Sequence, residues 1–201
     1  MDSNTSQFIP YPAGVLRALL RAPVALYRVG LGGLVNRARI MILTTRGRKS
    51  GIARHTAIEY RRHGSKLYLI SLWGQHPHWY RNLEAFPQAT VQLGGQTYGV
   101  SAQLEVDNSE ALRVLHQFRR TAPIVYDPVL ARISSQTAIN PTTLPEISDQ
   151  FTIVRLDPLP GAPPLEPLPR DLLWLWGVIG GIALLVALFL FRSGQKHPSD
   201  H

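Results

Sequence analysis

Apolar and polar residues alternate with a period of two in several short runs between residues 39 and 156, and turn residues separate the runs. A period of two is the signature of half-buried strands. Residues 39–45 are rich in Ile, Leu and Thr, and residues 54–62 place Thr56, Ile58 and Tyr60 on one side. Residues 66–72 set Leu67, Leu69 and Ser71 against Tyr68 and Ile70, and further strands are predicted over 90–93, 98–106 and 151–156. The links at 47–51, 63–65 and 94–95 are short and carry glycine, so the strands are expected to pair as antiparallel hairpins. Helical spacing takes over at 12–29, where Val15, Leu16, Leu19, Leu20 and Leu26 are apolar and Arg17, Arg21 and Arg28 basic. Pro23 is expected to kink or split this helix, and Gly30, Gly32 and Gly33 to end it. A short helix is predicted over 77–85, with proline in its first turn. Another is predicted over 109–120, with Asn108 as N-cap and Leu112, Leu115 and Phe118 inward. Residues 121–148 hold four prolines and no clear period. Six or so strands with segregated helices indicate an α+β barrel or sheet.

The pattern then changes character. Residues 157–169 contain six prolines, a composition that predicts a stiff, extended spacer at about 3 Å per residue. Residues 172–191 carry no charge and no proline, and 13 of these 20 are Leu, Ile, Val or Phe. Twenty helical residues rise about 30 Å, the thickness of a bilayer's hydrocarbon core. The expected organisation is therefore an amphipathic helical region (1–37), a barrel domain (38–157), a Pro-rich linker (158–170), one transmembrane helix (171–191) and a short polar tail (192–201). Gly177 and Gly181 form a G-x-x-x-G, a candidate pairing face for a homodimer. No signal peptide is visible at the polar N-terminus, so the expected location is the cell membrane, single-pass, with the domain in the cytoplasm. Arg170 before the helix and Arg192 and Lys196 after it leave the flanking-charge signal ambiguous.

The chain has 201 residues and no cysteine, which excludes disulfides, thiolate metal sites and a cysteine nucleophile. Charge is segregated: residues 1–66 hold 12 Lys/Arg and two acids, whereas residues 67–201 hold nine and 11. Such a basic half favours an anionic partner such as lipid headgroups, nucleic acid or a phosphorylated cofactor. Nucleic acid is set aside because no aromatic-interleaved basic face is present. The basic run peaks at Arg46-Gly47-Arg48-Lys49-Ser50-Gly51, followed by Arg54. A tight turn there could expose backbone N–H groups as an anion nest, with Arg and Lys adding charge. The order does not fit a P-loop, and spacing alone also suits a solvated basic hairpin. A second cluster is Ser71 at a strand end with His76, His78, Trp79, Tyr80, Arg81 and Asn82. The two histidines lack a nearby upstream carboxylate, so no metal site is expected. Trp79 and Tyr80 suit either core packing or a wall for a flat ring.

Together, LTTRGRKSGIAR at 43–54, the strand ending at Ser71 and HPHWYRNLEAFPQATVQLGG at 76–95 resemble the nitroreductase family of deazaflavin-dependent oxidoreductases, over about residues 16–158. The resemblance implies a split β-barrel like those of flavin reductases and pyridoxamine-phosphate oxidases, with peripheral helices. It also implies a cofactor, coenzyme F420, that carries a phosphate and an oligoglutamate tail, and hydride transfer to quinones or related acceptors. By residue, it implies that Arg48, Lys49, Ser50 and Arg54 hold the anionic part. Thr56, Ala57 and Ile58 would flank the cofactor. Leu69, Ile70, Ser71 and Leu72 would face the deazaflavin, and His78, Trp79, Tyr80, Arg81 and Asn82 would close the ring pocket. The chain departs from the family at Ala57, where proline is frequent, and in a shortened loop before Pro77. Around 121–138, where relatives carry several tyrosines, it has only Tyr126.

Because such a cofactor carries the chemistry, no acid/base triad is expected. Ser71 and Tyr126 are the candidates to hydrogen-bond the acceptor's carbonyl. A bilayer tether favours a lipophilic acceptor, and the pocket is expected to open toward the membrane with residues 12–29 at its mouth. The rival readings are an FMN-binding split-barrel reductase and a non-catalytic carrier of a tetrapyrrole or lipid.

Overall fold

A computed structural model describes residues 14–104, 106–121 and 152–194. Six strands form a closed antiparallel barrel: β1 (Ile40–Arg46), β2 (Ala53–His63), β3 (Lys66–Ser71), β4 (Gln88–Leu93), β5 (Gln96–Gln103) and β6 (Thr152–Pro158). Their order around the barrel is β1-β2-β3-β6-β5-β4. Closure leaves no unpaired sheet edge. The three expected hairpins are present, with Gly51, Gly64 and Gly94 at positive φ, one in each turn.

Alternation decides which side chains fill the barrel. Leu43, Leu67, Leu69, Val91 and Leu156 point inward with Met41, Val100 and Val154. On the outer face, Tyr68, Ile70 and Ile153 meet Ala111, Val114, Leu115 and Phe118 of α4 (Asn108–Thr121). Both faces of β3 are thus buried. The N-cap of α4 is Asp107, one residue earlier than expected: its Oδ1 accepts from the N–H groups of Ser109 and Glu110. Arg61 is 3% exposed. Its guanidinium donates to Thr121 Oγ1, the Tyr60 carbonyl and Glu59 Oε1 and lies over the Phe118 ring, so this buried charge is paired and bonded.

At the N-terminal side, α1 (Gly14–Arg28) runs through Pro23 as one helix. Pro23 neither splits nor ends it. The end comes at Gly30, which has φ 87. Its N–H donates to the Tyr27 carbonyl and that of Leu31 to the Leu26 carbonyl, the two bonds of a Schellman cap. The short α2 (Gly32–Arg37) follows and buries Gly32 and Val35. Tyr27 pins α1 to the barrel, its hydroxyl donating to the Gln92 carbonyl and accepting from the Gly94 N–H.

The Pro-rich segment is not a free spacer. Residues 159–171 lie along the outside of β4 as a strap. The Gln92 amide donates to the Leu168 carbonyl and accepts from its N–H, and the Thr90 hydroxyl does the same with Leu165. Leu168 packs with Tyr27, Val35 and Ile42. Proline removes donors, but the N–H groups of Leu165 and Leu168 remain to form these bonds, and that explains the docking. After the strap, α5 (Trp174–Gly194) is a 21-residue helix that begins three residues after the expected 171. Among the described residues, whose side chains in α5 end at Ala187, no helix is long and apolar enough to cross a membrane.

Candidate functional site

A groove of about 950 Å³ opens between α1, the β1–β2 turn, the start of α3 (His78–Ala85) and the strap. This size suits a small-molecule site. The turn forms because Gly47 and Gly51 take tight positions: Gly47 N–H donates to the Ile52 carbonyl and Gly51 N–H to that of Gly47. A Cβ on Gly47 would lie 3.0 Å from the Ile52 carbonyl oxygen, so only glycine fits without a shift. Asn82, 4% exposed, braces the turn from α3. Its Oδ1 accepts from the Arg48 N–H at 3.1 Å and its amide donates to Thr45 Oγ1 at 3.1 Å. With the N–H groups of Gly47, Arg48 and Gly51 engaged, and that of Ile52 turned to Ser50 Oγ at 3.4 Å, the turn attracts anions mainly through side chains. The expected backbone nest is thereby narrowed to the N–H groups of Lys49 and Ser50.

The lining is strongly basic. Arg21, Arg28, Arg48, Lys49 and Arg54 face it, with His55 and His78, against one carboxylate among the described residues, that of Asp171. That carboxylate is spoken for: Arg28 donates two bonds to it, at 2.8 and 2.5 Å, which hold its pKa below the usual range. Val24, Trp79 and Leu168 supply apolar surface. His55 Nδ1 lies 2.9 Å from the buried Thr44 hydroxyl. Burial lowers the His55 pKa against an opposing pull from Glu166, and the lowering favours the neutral ring.

Of the residues singled out from sequence, Arg48, Lys49, Ser50, Arg54, Thr56, His78, Trp79 and Asn82 line this groove together. Others are elsewhere. Ile58 and Leu69 fill the barrel and Tyr80 packs with them. Ile70 and Leu72 pack under α4, and Ala57 sits beside the Tyr27 cluster. Ser71 is 2% exposed, and its hydroxyl donates to the Gly74 carbonyl at 2.5 Å, a bond that pins the following turn instead of facing the groove. Arg81 is exposed and reaches the Gln75 carbonyl and His76. Tyr126 lies outside the described residues. Sequence reading did not name Arg21, Val24, Arg28 or His55 as site residues, nor the strap residues Leu168, Pro169 and Asp171. The basic stripe of α1 signalled Arg21 and Arg28; nothing local signalled the strap.

Residues 19–140 match the family model described as F420H(2)-dependent quinone reductase. The chain belongs to that family. Two curated F420H(2)-dependent quinone reductases of Mycobacterium tuberculosis, strains H37Rv and CDC 1551, are 32% identical over 92 residues. Those alignments cover 42% of this chain and 62% of each relative, so the chain spans less than two thirds of their length. Among solved structures, an F420-H2 dependent reductase (FDR-A) is similar at 22% identity and TM-score 0.40, over 59% of this chain and 94% of that one. The strap and α5 lie beyond the span that the family model matches.

The groove's residues fit the family's cofactor. Among the described residues, five Lys/Arg side chains face a volume with one carboxylate, itself paired, which suits an acidic tail. Trp79, Val24 and Leu168 offer a flat apolar wall.

Proposed function

We propose that this chain is a membrane-attached oxidoreductase that passes a hydride from reduced coenzyme F420 to a quinone-like, lipophilic acceptor. The observation that carries the cofactor reading is the basic groove braced by Asn82, within a chain of this family. Arg48, Lys49, Ser50 and Arg54 would hold the anionic part, and His78 and Trp79 would flank the ring. The reduced deazaflavin supplies the hydride. The protein binds it, orients it and excludes water. With Ser71 turned away, Tyr126 is the remaining sequence candidate for a bond to the acceptor carbonyl.

The membrane reading rests on α5. Its described apolar side chains are exposed on every side, from Val178 at 46% to Leu185 at 68%, and the sequence from 172 to 191 carries no charge. A helix that is apolar all round needs an apolar surrounding, and a bilayer supplies one. We place the groove on the cytoplasmic side, where the cofactor is made.

Two measurements test this. Replacing Arg48→Ala and Lys49→Ala together should weaken coenzyme F420 binding at least tenfold in a fluorescence titration. Unchanged affinity, or equal affinity of the native chain for FMN, would overturn the cofactor assignment. Menaquinone turnover in liposomes should fall when residues 177–201 are removed, while turnover of a water-soluble quinone should not. Equal loss or no loss with both acceptors would count against the membrane role.

A further inference from the structure

α5 does not leave the domain on a loose tether. The Leu172 N–H donates to the Arg28 carbonyl at 3.2 Å and Trp176 Nε1 to the Val29 carbonyl at 2.8 Å. Leu173 packs so closely on Gly30 that a Cβ there would lie 2.7 Å from its Cδ2. The start of the apolar helix is therefore seated on the elbow between α1 and α2, and the elbow's outer face has a defined relation to whatever α5 enters.

That outer face has the composition of an interfacial surface. α2 turns Gly32 and Val35 inward, which leaves Leu34 56% exposed with Arg37 on the same side, three residues on. Leu34 is four residues from Gly30, at most about 14 Å of chain. Leu173 and Trp174 are also exposed, at 50% and 62%. Around them stand Arg37, Arg39 and Arg170, all exposed. Arg170 reaches the Gly94 carbonyl, in the β4–β5 turn that packs against Asn36 of α2. Two carboxylates lie beside this surface and both are paired: Asp171 with Arg28, and Glu59, across the strands from Ile40, with Arg61. Exposed Leu and Trp ringed by arginines, with Asp171 and Glu59 paired, match an anionic headgroup layer.

We infer that the α1–α2 elbow is a docking surface for anionic phospholipid, with Leu34, Leu173 and Trp174 entering the interface and Arg37, Arg39 and Arg170 meeting lipid phosphates. This rests on the reading of α5 as a bilayer helix and adds an orientation to it. The Arg28, Leu168 and Asp171 end of the groove then faces the membrane, and the basic turn faces water.

The cysteine-free chain allows single labels. The full chain would carry a nitroxide at Leu34→Cys, at Leu184→Cys in α5 or at Gln88→Cys, which is exposed at the far end of β4 from Gly94. Each is reconstituted in phosphatidylcholine vesicles with or without phosphatidylglycerol. Accessibility to oxygen against a water-soluble nickel chelate reads depth. Position 34 should favour oxygen when phosphatidylglycerol is present, and position 88 the chelate. Arg37→Glu with Arg39→Glu should return position 34 to water, each reversal shifting docking by about fivefold or more. A lipid-buried position 184 with position 34 as wet as position 88 would overturn this inference alone. A wet position 184 would overturn it together with the bilayer reading.

Discussion

Asn82 shows how much one small side chain decides. It reads from sequence as part of a ring pocket, yet its amide is bonded on both sides to the strand and turn that present Arg48. Asn82→Leu leaves the Thr45 hydroxyl and Arg48 N–H without these partners, so a loss of about 1–3 kcal/mol is expected in urea unfolding. Asn82→Asp keeps the bond from Arg48, and Thr45 can donate to it, so a smaller loss is expected. The pair Tyr68 and Glu110 gives a prediction in pH. Glu110 is held below its usual range, chiefly by the Tyr68 hydroxyl. The stability it adds is present above the unfolded carboxylate range and is lost as pH falls through the lower folded value. Tyr68 is pushed up to about 12, first by burial and then by Glu110. Its contribution is present below about 10 and is lost as pH rises through about 12. Tyr68→Phe should therefore flatten both edges of the stability–pH curve followed by circular dichroism; an unchanged curve would contradict the coupling. The hydrogen-bonding groups were legible as residue types, but their partners, 34 and 42 positions away in the chain, were not.

Elements were legible where one local rule governs them. Alternation placed the strand ends within two residues, except that β5 ends at Gln103 and not at 106, and glycine turns placed the hairpins, because both depend on neighbours in the chain. α1 ran through Pro23 because tertiary contacts outweigh one lost backbone bond: Tyr27, one turn later, is fixed by two hydrogen bonds, one to β4 and one to the turn after it. The strap was misread for a related reason. Thr90 and Gln92 alternate with inward Ala89 and Val91 and look like solvent-facing positions, but they are 0% and 4% exposed because residues 159–171 lie on them. Composition predicted the strap's stiffness and carried no information about where it would lie. The α1 terminus offers a direct check. Gly30→Ala must adopt φ near 87, which costs a side chain about 1–2 kcal/mol, and its Cβ would overlap Leu173. The expected result is a Tm lower by about 2–8 °C at this chain size. Gly33→Ala, with open space at its Cβ, should change little.

At the scale of the molecule, the barrel supplies a rigid wall on which two separate chain ends meet. α1 brings Arg21 and Arg28 to one side of the groove, and the strap brings Leu168, Pro169 and Asp171, more than 130 residues later in sequence. The strap is held to the barrel mainly by side chains, those of Thr90 and Gln92, and by Arg170 on the Gly94 carbonyl. It can therefore be loosened without touching the strand ladders. Thr90→Val with Gln92→Leu removes both clamps while keeping β4's shape, and it exposes the backbone at Leu165 and Leu168 in their place. Trypsin should then cut after Arg170 faster than in the native chain, while the barrel's unfolding transition stays cooperative. Leu168 packs in the Tyr27 cluster and also lines the groove, so releasing it removes apolar wall as well as the Asp171 restraint on Arg28. Burial of one such side chain contributes about 1.5–3 kcal/mol, and a fraction of that lost at the groove should weaken deazaflavin binding by about three- to tenfold. If cleavage quickens and affinity does not change, the strap holds α5 in place without forming part of the site. If affinity falls with no change in cleavage, the effect came through β4 itself, and the strap's role as a wall is refuted.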